Sequence, residues 1–519
     1  MTDTTASGRS FRQQLPRNFA ANIASYLFNI LIGLWLVPYF IGSLGIAAYG
    51  IIPLATSLNS YINLITQSFN QAVCRFLTID IQKNDLEGAG KVFNTALFGS
   101  LGLICLLFPV VIVVSYSAPF LFRIPEGQGF EVTLLFLMVL SSVLVQEFRS
   151  NFTNTFYASN RLDVINGLNI LVTLLQVVFI VAFFTVASPM LGLVGLAYLL
   201  ASLITLVATV VVSRRLSPGL KVSARDIDRT RLWHLGGMSW WVVVNQVGAL
   251  LYLYIDLIVV NIFFGPVIGG RYAVVLAWGT VLRGIAGNLA GIIGPMILIA
   301  YARGKSDQVI QISKSAVKMM GITLALPIGL ILGFSPQILT LWVGPDYASL
   351  SPLMWVLVIH LIINLAVLPL FTINIAYNKV KIPGIVTVLM GTGNLVLAVA
   401  LAALTPLGYL GVALAGLVML TSKNALFTPW YATKVMEIPS HTFTRSILFG
   451  AISVAGIAAA ALVTGYYFPV TSIVRLVACS GIITVLYLLV IWFRGFSPFE
   501  RGLITSYLPR ALSREDQCP

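Results

Sequence analysis

The chain reads as an all-α polytopic membrane protein: about fourteen transmembrane helices, in two pseudo-symmetric six-helix lobes plus two C-terminal helices around a central cavity. Three observations lead there. Of 519 residues, 58% are hydrophobic and only 9% charged, where a soluble domain carries about 25% charged residues. The apolar residues fall in runs as long as the ~20 that a helix needs to cross a bilayer, separated by short polar gaps. The bases are shared unequally between alternate gaps.

Spans are predicted near 18–41, 46–74, 92–116, 131–158, 163–187, 192–213, 233–262, 269–299, 312–334, 353–377, 384–404, 410–430, 446–468 and 473–493. Residues 1–17 form a polar tail. The first apolar run is too long for a signal-peptide core, so it counts as a retained span. Helices 1–6 make an N-lobe, 18–213. The segment 214–232 is a Ser-, Pro- and charge-rich linker. Helices 7–12 make a C-lobe, 233–430; helices 13 and 14 occupy 431–493, and 494–519 is a C-terminal tail.

Orientation follows from the bases. One set of gaps holds Arg75, Lys83, Lys91, Arg161, Arg214, Arg215, Arg303, Lys305, Lys379, Lys381 and Lys434, while the opposite set holds little beyond Arg123 and Arg271. Positive loops stay inside, so both tails and the linker are expected in the cytoplasm. The same distribution accounts for the net charge of +14 without a nucleic-acid partner.

The chain repeats itself. YFIGSLGIAAYGII (39–52) joins spans one and two, and FFGPVIGGRYAVV (263–275) joins spans seven and eight. Each is a glycine-rich turn followed by a tyrosine, Tyr49 or Tyr272, and a long helix. Paired repeats flanking a central site are the usual build of secondary transporters.

Several chemistries are absent from the sequence. The four cysteines include no C-x-x-C pair, and the three histidines lie far apart, so no metal-ligand spacing occurs. ARGKSD (302–307) contains GKS, but a phosphate-binding loop wants glycine where Ile299 stands. No gap is long enough for a soluble catalytic domain. A cofactor-free protein that is not an enzyme is expected.

Polar residues recur on single helical faces, where i, i+3, i+4 and i+7 coincide. Span one carries Asn18, Asn22, Ser25 and Asn29. Span two carries Thr56, Asn59, Asn63, Thr66 and Asn70. Span seven carries Asn245, Gly248, Tyr252 and Asp256. Stripes of this length point to a wet cavity, although interhelical hydrogen bonds also use such residues. In span eight, Gly284, Gly287, Gly291 and Gly294 form a face suited to close helix packing. Arg283 borders it, too deep to reach water along its own stem, and Pro295 is expected to kink or end the helix. Span four carries Glu147 and Arg149 on opposite sides. The Arg149 face is expected to line the cavity and the Glu147 face to pack on a neighbour; the mirror arrangement satisfies the same pattern.

Two six-span halves, a basic linker, two extra spans and the motif LG-x3-YG (Leu44, Gly45, Tyr49, Gly50) together resemble a known family. So do Asp256 through FFG-x4-GRY (Gly265, Gly270, Tyr272) and LWVGPDY (341–347). The chain is similar to the polysaccharide-biosynthesis flippases, the oligosaccharide branch of the multidrug/oligosaccharidyl-lipid/polysaccharide exporter superfamily. That resemblance implies a bacterial inner-membrane protein of O-antigen or exopolysaccharide assembly. It would turn an undecaprenyl-pyrophosphate-linked oligosaccharide across the bilayer by alternating access, beside other polysaccharide-assembly proteins. Arg149 and Arg283 then suit the pyrophosphate, because a guanidinium meets phosphate oxygens with parallel donors. Asn22, Asn29, Asn59, Asn63, Asn245 and Tyr252 suit sugar hydroxyls, and Asp256 and Glu147 suit a coupling Na+ or H+. Competing readings are a multidrug antiporter of the same superfamily, a lipid II flippase and, more distantly, a membrane glycosyltransferase or polymerase.

Overall fold

The computed structural model describes residues 11–83, 85–216, 220, 222–223, 226–227 and 240–496. Every regular element among them is helical. Twelve described helical stretches are long and apolar enough to cross a membrane. One of these, Val244–Ala302, has 59 residues and bends at Gly265; at ~1.5 Å per residue it supplies two crossings. A further crossing comes from 46–82, which is interrupted at Leu58 and so falls into two shorter helices. Twelve, one for the bend and one for the interrupted helix make the fourteen expected. Residues 1–10, 84, most of the linker, 233–239 at the start of predicted span seven, and 497–519 lie outside the described set.

The chain forms two compact units: Met1–Ala277 with Gly384–Gly416, and Trp278–Pro383 with Leu417–Pro519. In the first, α1 (Phe11–Leu44) begins before the predicted residue 18. Its base is tied to the start of α6 (Leu162–Val186). Asp163, in the first turn of α6, pairs with Arg17 at 3.0 Å and Arg161 at 3.1 Å. Asn18 accepts from the Asp163 amide at 3.1 Å and donates to the Asn160 carbonyl at 2.9 Å. An acid at a helix N-terminus also suits the helix dipole.

Helices α4 (Leu86–Leu121), α5 (Gly129–Ala158) and α7 (Leu191–Leu216) complete the bundle. Asp85 caps α4 by accepting from the Gly88 amide at 2.8 Å. The core at one end is apolar, with Phe93 and Phe152 edge to face at 5.5 Å. Along α7, Ser202, Thr205 and Thr209 are wholly buried. The two threonine hydroxyls are satisfied by carbonyls of their own helix at 2.7 Å, as a membrane interior demands.

The sequence repeat has a structural counterpart, in a different register. Between α1 and α2 (Ile46–Ser57), Gly45 has φ 82° and ψ 162°; within α9 (Ile255–Ala302), Gly265 has φ 83° and ψ 178°. Only glycine adopts that region at little cost. Counting from these bends, Gly50 is equivalent to Gly270 and Ile46 to Pro266; Tyr49 and Tyr272 are not equivalent. The equivalent residues touch. A Cβ on Gly50 would stand 2.6 Å from the Gly270 nitrogen and 3.0 Å from the Pro266 carbonyl oxygen. A Cβ on Gly270 would strike the Ile46 carbonyl oxygen. The two motifs thus cross backbone to backbone, each glycine against the other motif. Nearby, the Asn261 amide clamps Arg123 through the latter's N–H at 3.0 Å and its carbonyl at 3.1 Å.

Two further helices belong to this unit. α8 (Trp240–Leu253) precedes α9 and is separated from it at Tyr254. The part of α15 (Lys381–Leu404) from Gly384 onward packs on α8: a Cβ on Gly248 would lie 2.5 Å from the Val388 nitrogen, and one on Gly391 would lie 2.5 Å from the Gly248 oxygen.

The second unit is built on α10 (Ser306–Gly333), α11 (Ser335–Val343) and α12–α14 (Ser351–Ile359, Leu361–Ala366, Leu368–Ala376). α16 (Tyr409–Thr421) leads into it through a π-helical turn, Ser422–Phe427, followed by α17 (Thr428–Met436). Helix α18 (Thr444–Tyr467) lies along α10. Gly321 faces Gly450, Gly329 faces Ile457 and Gly333 faces Ala461, the small-residue packing that membrane helices favour. The last described α-helix, α19 (Ile473–Val490), is mostly exposed. The glycine face of α9 does not pack as expected. A methyl group added to Gly287 or Gly291 would meet nothing within 4 Å, whereas one on Gly294 would lie 3.3 Å from the Thr372 hydroxyl. Pro295 does not end the helix, which runs on to Ala302.

Candidate functional site

The first unit contains a cavity of about 440 Å³. It lies between α3 (Asn59–Gln82), α5 and α8, and its polar groups follow from helical spacing. α3 contributes Ser60, Asn63, Thr66 and Asn70. The interruption at Leu58 ends the stripe of span two early, so Asn59 is left out of the lining, its side-chain oxygen buried without a hydrogen-bond partner. α5 contributes Glu147, and α8 contributes Gln246, with Tyr254 at the break beyond it.

Glu147 is held in a short chain. Asn70 Nδ2 donates to Glu147 Oε2 at 2.9 Å, and Ser150 Oγ donates to Asn70 Oδ1 at 2.8 Å. Both ends of the Asn70 amide are used, which fixes its orientation. Among the described residues, no Lys, Arg or His lines the cavity.

The expected assignment of the two faces of α5 is therefore reversed. Glu147 faces the cavity, and Arg149 is buried on the other side with 8% of its surface exposed. Its Nη2 donates to Asn169 Oδ1 of α6 at 3.1 Å, while Nε and Nη1 have no hydrogen-bond partner among the described residues. Two residues are about 200° apart on a helix, so only one of the pair can face a given space. Ser202 of α7 accepts from Gln146 at 3.3 Å, which draws the Arg149 side of α5 toward α6 and α7.

Span one behaves differently from its stripe. Asn29 accepts from Thr173 of α6 at 2.7 Å and donates to the Ser25 carbonyl at 2.7 Å. Asn22 is exposed. Neither lines the cavity. The stripe of span seven is turned away as well. Asn245 and Tyr252 are absent from the lining, which takes Gln246 and Leu253 instead, one residue or about 100° round the helix. The reason is Gly248: lacking a side chain, it lets α15 seat against that face. Asp256, at the start of α9, is buried there. Asn394 of α15 donates to its Oδ1 at 3.3 Å and Tyr272 donates to its Oδ2 at 3.4 Å. The Asn394 side-chain oxygen beside it has no hydrogen-bond partner among the described residues.

Arg283 belongs to the second unit and folds back along α9, its Nη1 3.1 Å from the place a Cβ of Gly279 would occupy. That unit also holds a polar cluster that the helical stripes do not reveal. Lys423, 3% exposed, sits on the π-helical turn with Nζ 5.1 Å from the Phe371 ring centre. Its neighbour Asn424 donates to Asn364 at 3.2 Å and accepts from Thr428 at 3.2 Å, and Asn364 meets the ring of His360. The signal for it in the sequence is one lysine inside an otherwise apolar run; π-turns mark functional sites often. Among the described residues, no group of three His, Cys, Asp or Glu is placed to hold a metal ion.

Residues 15–298 match the family model described as "Polysaccharide biosynthesis protein". A Bacillus subtilis (strain 168) protein, "Uncharacterized membrane protein EpsK", is 30% identical over 441 residues, covering 84% of this chain and 86% of that one. Among solved structures, the lipid II flippase MurJ in an inward closed conformation superposes with a TM-score of 0.61 at 13% identity, covering 94% of this chain and 99% of the other. An inward-facing multidrug resistance MATE transporter of the MOP superfamily gives 0.57 at 15% identity, with 84% and 96% covered. At these identities the two structures establish a common fold.

Proposed function

The chain belongs to the polysaccharide biosynthesis protein family, and on that premise we propose that it is a flippase for a polyprenyl-diphosphate-linked oligosaccharide. The observation that carries this reading is the cavity itself. Asn63, Asn70, Gln246, Ser60 and Tyr254 offer donors and acceptors together, the equipment for sugar hydroxyls. Its volume falls within the ~300–1,000 Å³ of small-molecule sites. The prenyl tail remains in lipid while the head group passes. The membrane is the bacterial inner membrane, with both termini in the cytoplasm by the distribution of bases. Translocation proceeds by alternating access.

Arg149 and Arg283 meet the diphosphate in turn. Arg149 supports this role through two buried nitrogens with no hydrogen-bond partner among the described residues, on the α6 side of α5 and apart from the cavity that Glu147 lines. Asp256, with the free oxygen of Asn394, is the coupling site for Na+ or H+. The test is a strain lacking this gene, with cell-surface polysaccharide as readout. Restoration by the wild-type chain is expected; unchanged surface polysaccharide after deletion refutes the reading.

A second reading, a cation antiporter, is favoured by one observation: the described lining of the cavity holds a carboxyl group and no base. Drug efflux driven by an ion gradient in proteoliposomes, with surface polysaccharide unaffected by deletion, decides for it.

A further inference from the structure

The cavity differs from what an anionic cargo asks for. Among the described residues its ionisable groups are Glu147 and the phenol of Tyr254, and no cation lines it. A diphosphate placed here would meet a carboxyl group without a compensating base. The cavity is therefore the place of the sugar and not of the phosphate, and its chemistry bears on which sugar.

Glu147 is positioned to act on a ligand. Asn70 holds one carboxyl oxygen, and Ser150 holds the far end of that amide, so the group presents a fixed acceptor edge to the cavity. Hydroxyls and amines donate to such an edge. A uronic or other acidic sugar brings a second carboxyl group beside it, where acceptor faces acceptor and like charges at close range repel. The opposite wall does not offset this: α8 presents Gln246 among Ala249, Leu250 and Leu253.

We propose that this cavity selects the saccharide by charge: it accepts neutral or amine-bearing sugars and rejects acidic ones, with Glu147 as the discriminating residue. The inference rests on the flippase reading, and it names the class of glycan that reading leaves open. Discrimination by a repelling group is a common route to specificity.

The test uses the purified full-length chain in nanodiscs and three disaccharides that differ in charge. They are N,N′-diacetylchitobiose (neutral), its fully deacetylated form (cationic) and digalacturonic acid (anionic), each titrated calorimetrically. The neutral and cationic probes should bind, with the acid weaker by about tenfold or more. Glu147→Gln keeps the shape and the bond to Asn70, and should bring the acid to within a few-fold of the neutral probe. Gln246→Glu adds a carboxyl group to the opposite wall and should weaken the acid further. Equal binding of acidic and neutral probes, binding of none of the three, or unaltered discrimination in Glu147→Gln each overturns the proposal. If deletion and complementation still govern surface polysaccharide in that case, the flippase reading stands and only the charge selection is lost.

Discussion

A methyl group at residue 270 should unseat the crossing of α2 and α9. At this crossing the approach is backbone to backbone. The Cβ of an alanine at Gly50 would lie 2.6 Å from the Gly270 nitrogen and 2.7 Å from its Cα, and one at Gly270 would strike the Ile46 carbonyl. Carbon atoms pack at about 3.5–4.0 Å, so the helices have to part by roughly 1 Å. No side chain can rotate away to relieve this. Overpacking of a well-fitted core costs about 1–3 kcal/mol, and a rigid backbone contact belongs at the upper end of that range. For Gly270→Ala the expected result is a loss of ~3 kcal/mol, a drop in melting temperature on the order of 5 °C. The assay is thermal unfolding of the purified protein, followed by intrinsic fluorescence. Gly102→Ala is the control, since nothing lies within 4 Å of its Cβ and alanine favours the helix by up to ~1 kcal/mol. Gly50→Ala with Gly270→Ala should cost less than the sum of the two, because both overpack one crossing and a single separation of the helices accommodates both. A Gly270→Ala protein that melts with the wild type refutes the crossing as a tight contact.

Three other substitutions probe the remaining groups. Arg149→Met should raise the melting temperature, because each buried unmade hydrogen bond costs about 1–3 kcal/mol, while surface polysaccharide falls; a less stable variant with normal polysaccharide refutes the assigned role. Asp163→Asn removes the charge that Arg17 and Arg161 share and should cost about 1–2 kcal/mol, read as earlier unfolding and faster proteolysis at the α1 end; wild-type behaviour in both refutes the anchor. Asp256→Asn keeps an acceptor for Tyr272 and should melt within a few degrees of wild type, yet transport in proteoliposomes should lose its dependence on an imposed Na+ or H+ gradient; retained dependence removes Asp256 from coupling.

Much of the fold is legible in the sequence because lipid leaves a chain few options. Apolar runs must be helices that satisfy their own backbone, and among the described residues every predicted span has a helix in its place. The interruptions are harder to read. Leu58 and Tyr254 break helices without a proline or glycine at the break, and the cavity lies beside both. The glycines mislead in both directions. On α9 their spacing suggests packing, yet Gly287 and Gly291 are open; Gly248 looks like one member of a polar stripe, yet it seats α15. Spacing gives the side of a helix but not what stands opposite. The tyrosines stand out in the repeat, whereas the equivalence runs through Gly45 and Gly265, whose φ values of 82° and 83° are invisible in the letters alone.

The two faces of α5 show the same limit most clearly, and why the mirror arrangement is the physically sensible one. A guanidinium has five N–H donors and no acceptor, so an arginine in the bilayer needs oxygen atoms around it when no substrate is bound. On the α6 side Asn169 supplies one such oxygen, while Nε and Nη1 of Arg149 have no hydrogen-bond partner among the described residues. On the cavity side the Asn70 amide is already engaged with Glu147 and Ser150. A carboxyl group has the opposite need, donors, and Asn70 supplies one. Glu147 and Arg149 thus each face one hydrogen-bonding amide, Asn70 on α3 and Asn169 on α6, and the rotation of the helix follows from these neighbours. Composition of the partner helices, read together with the stripe on α5 itself, selects this arrangement over its mirror.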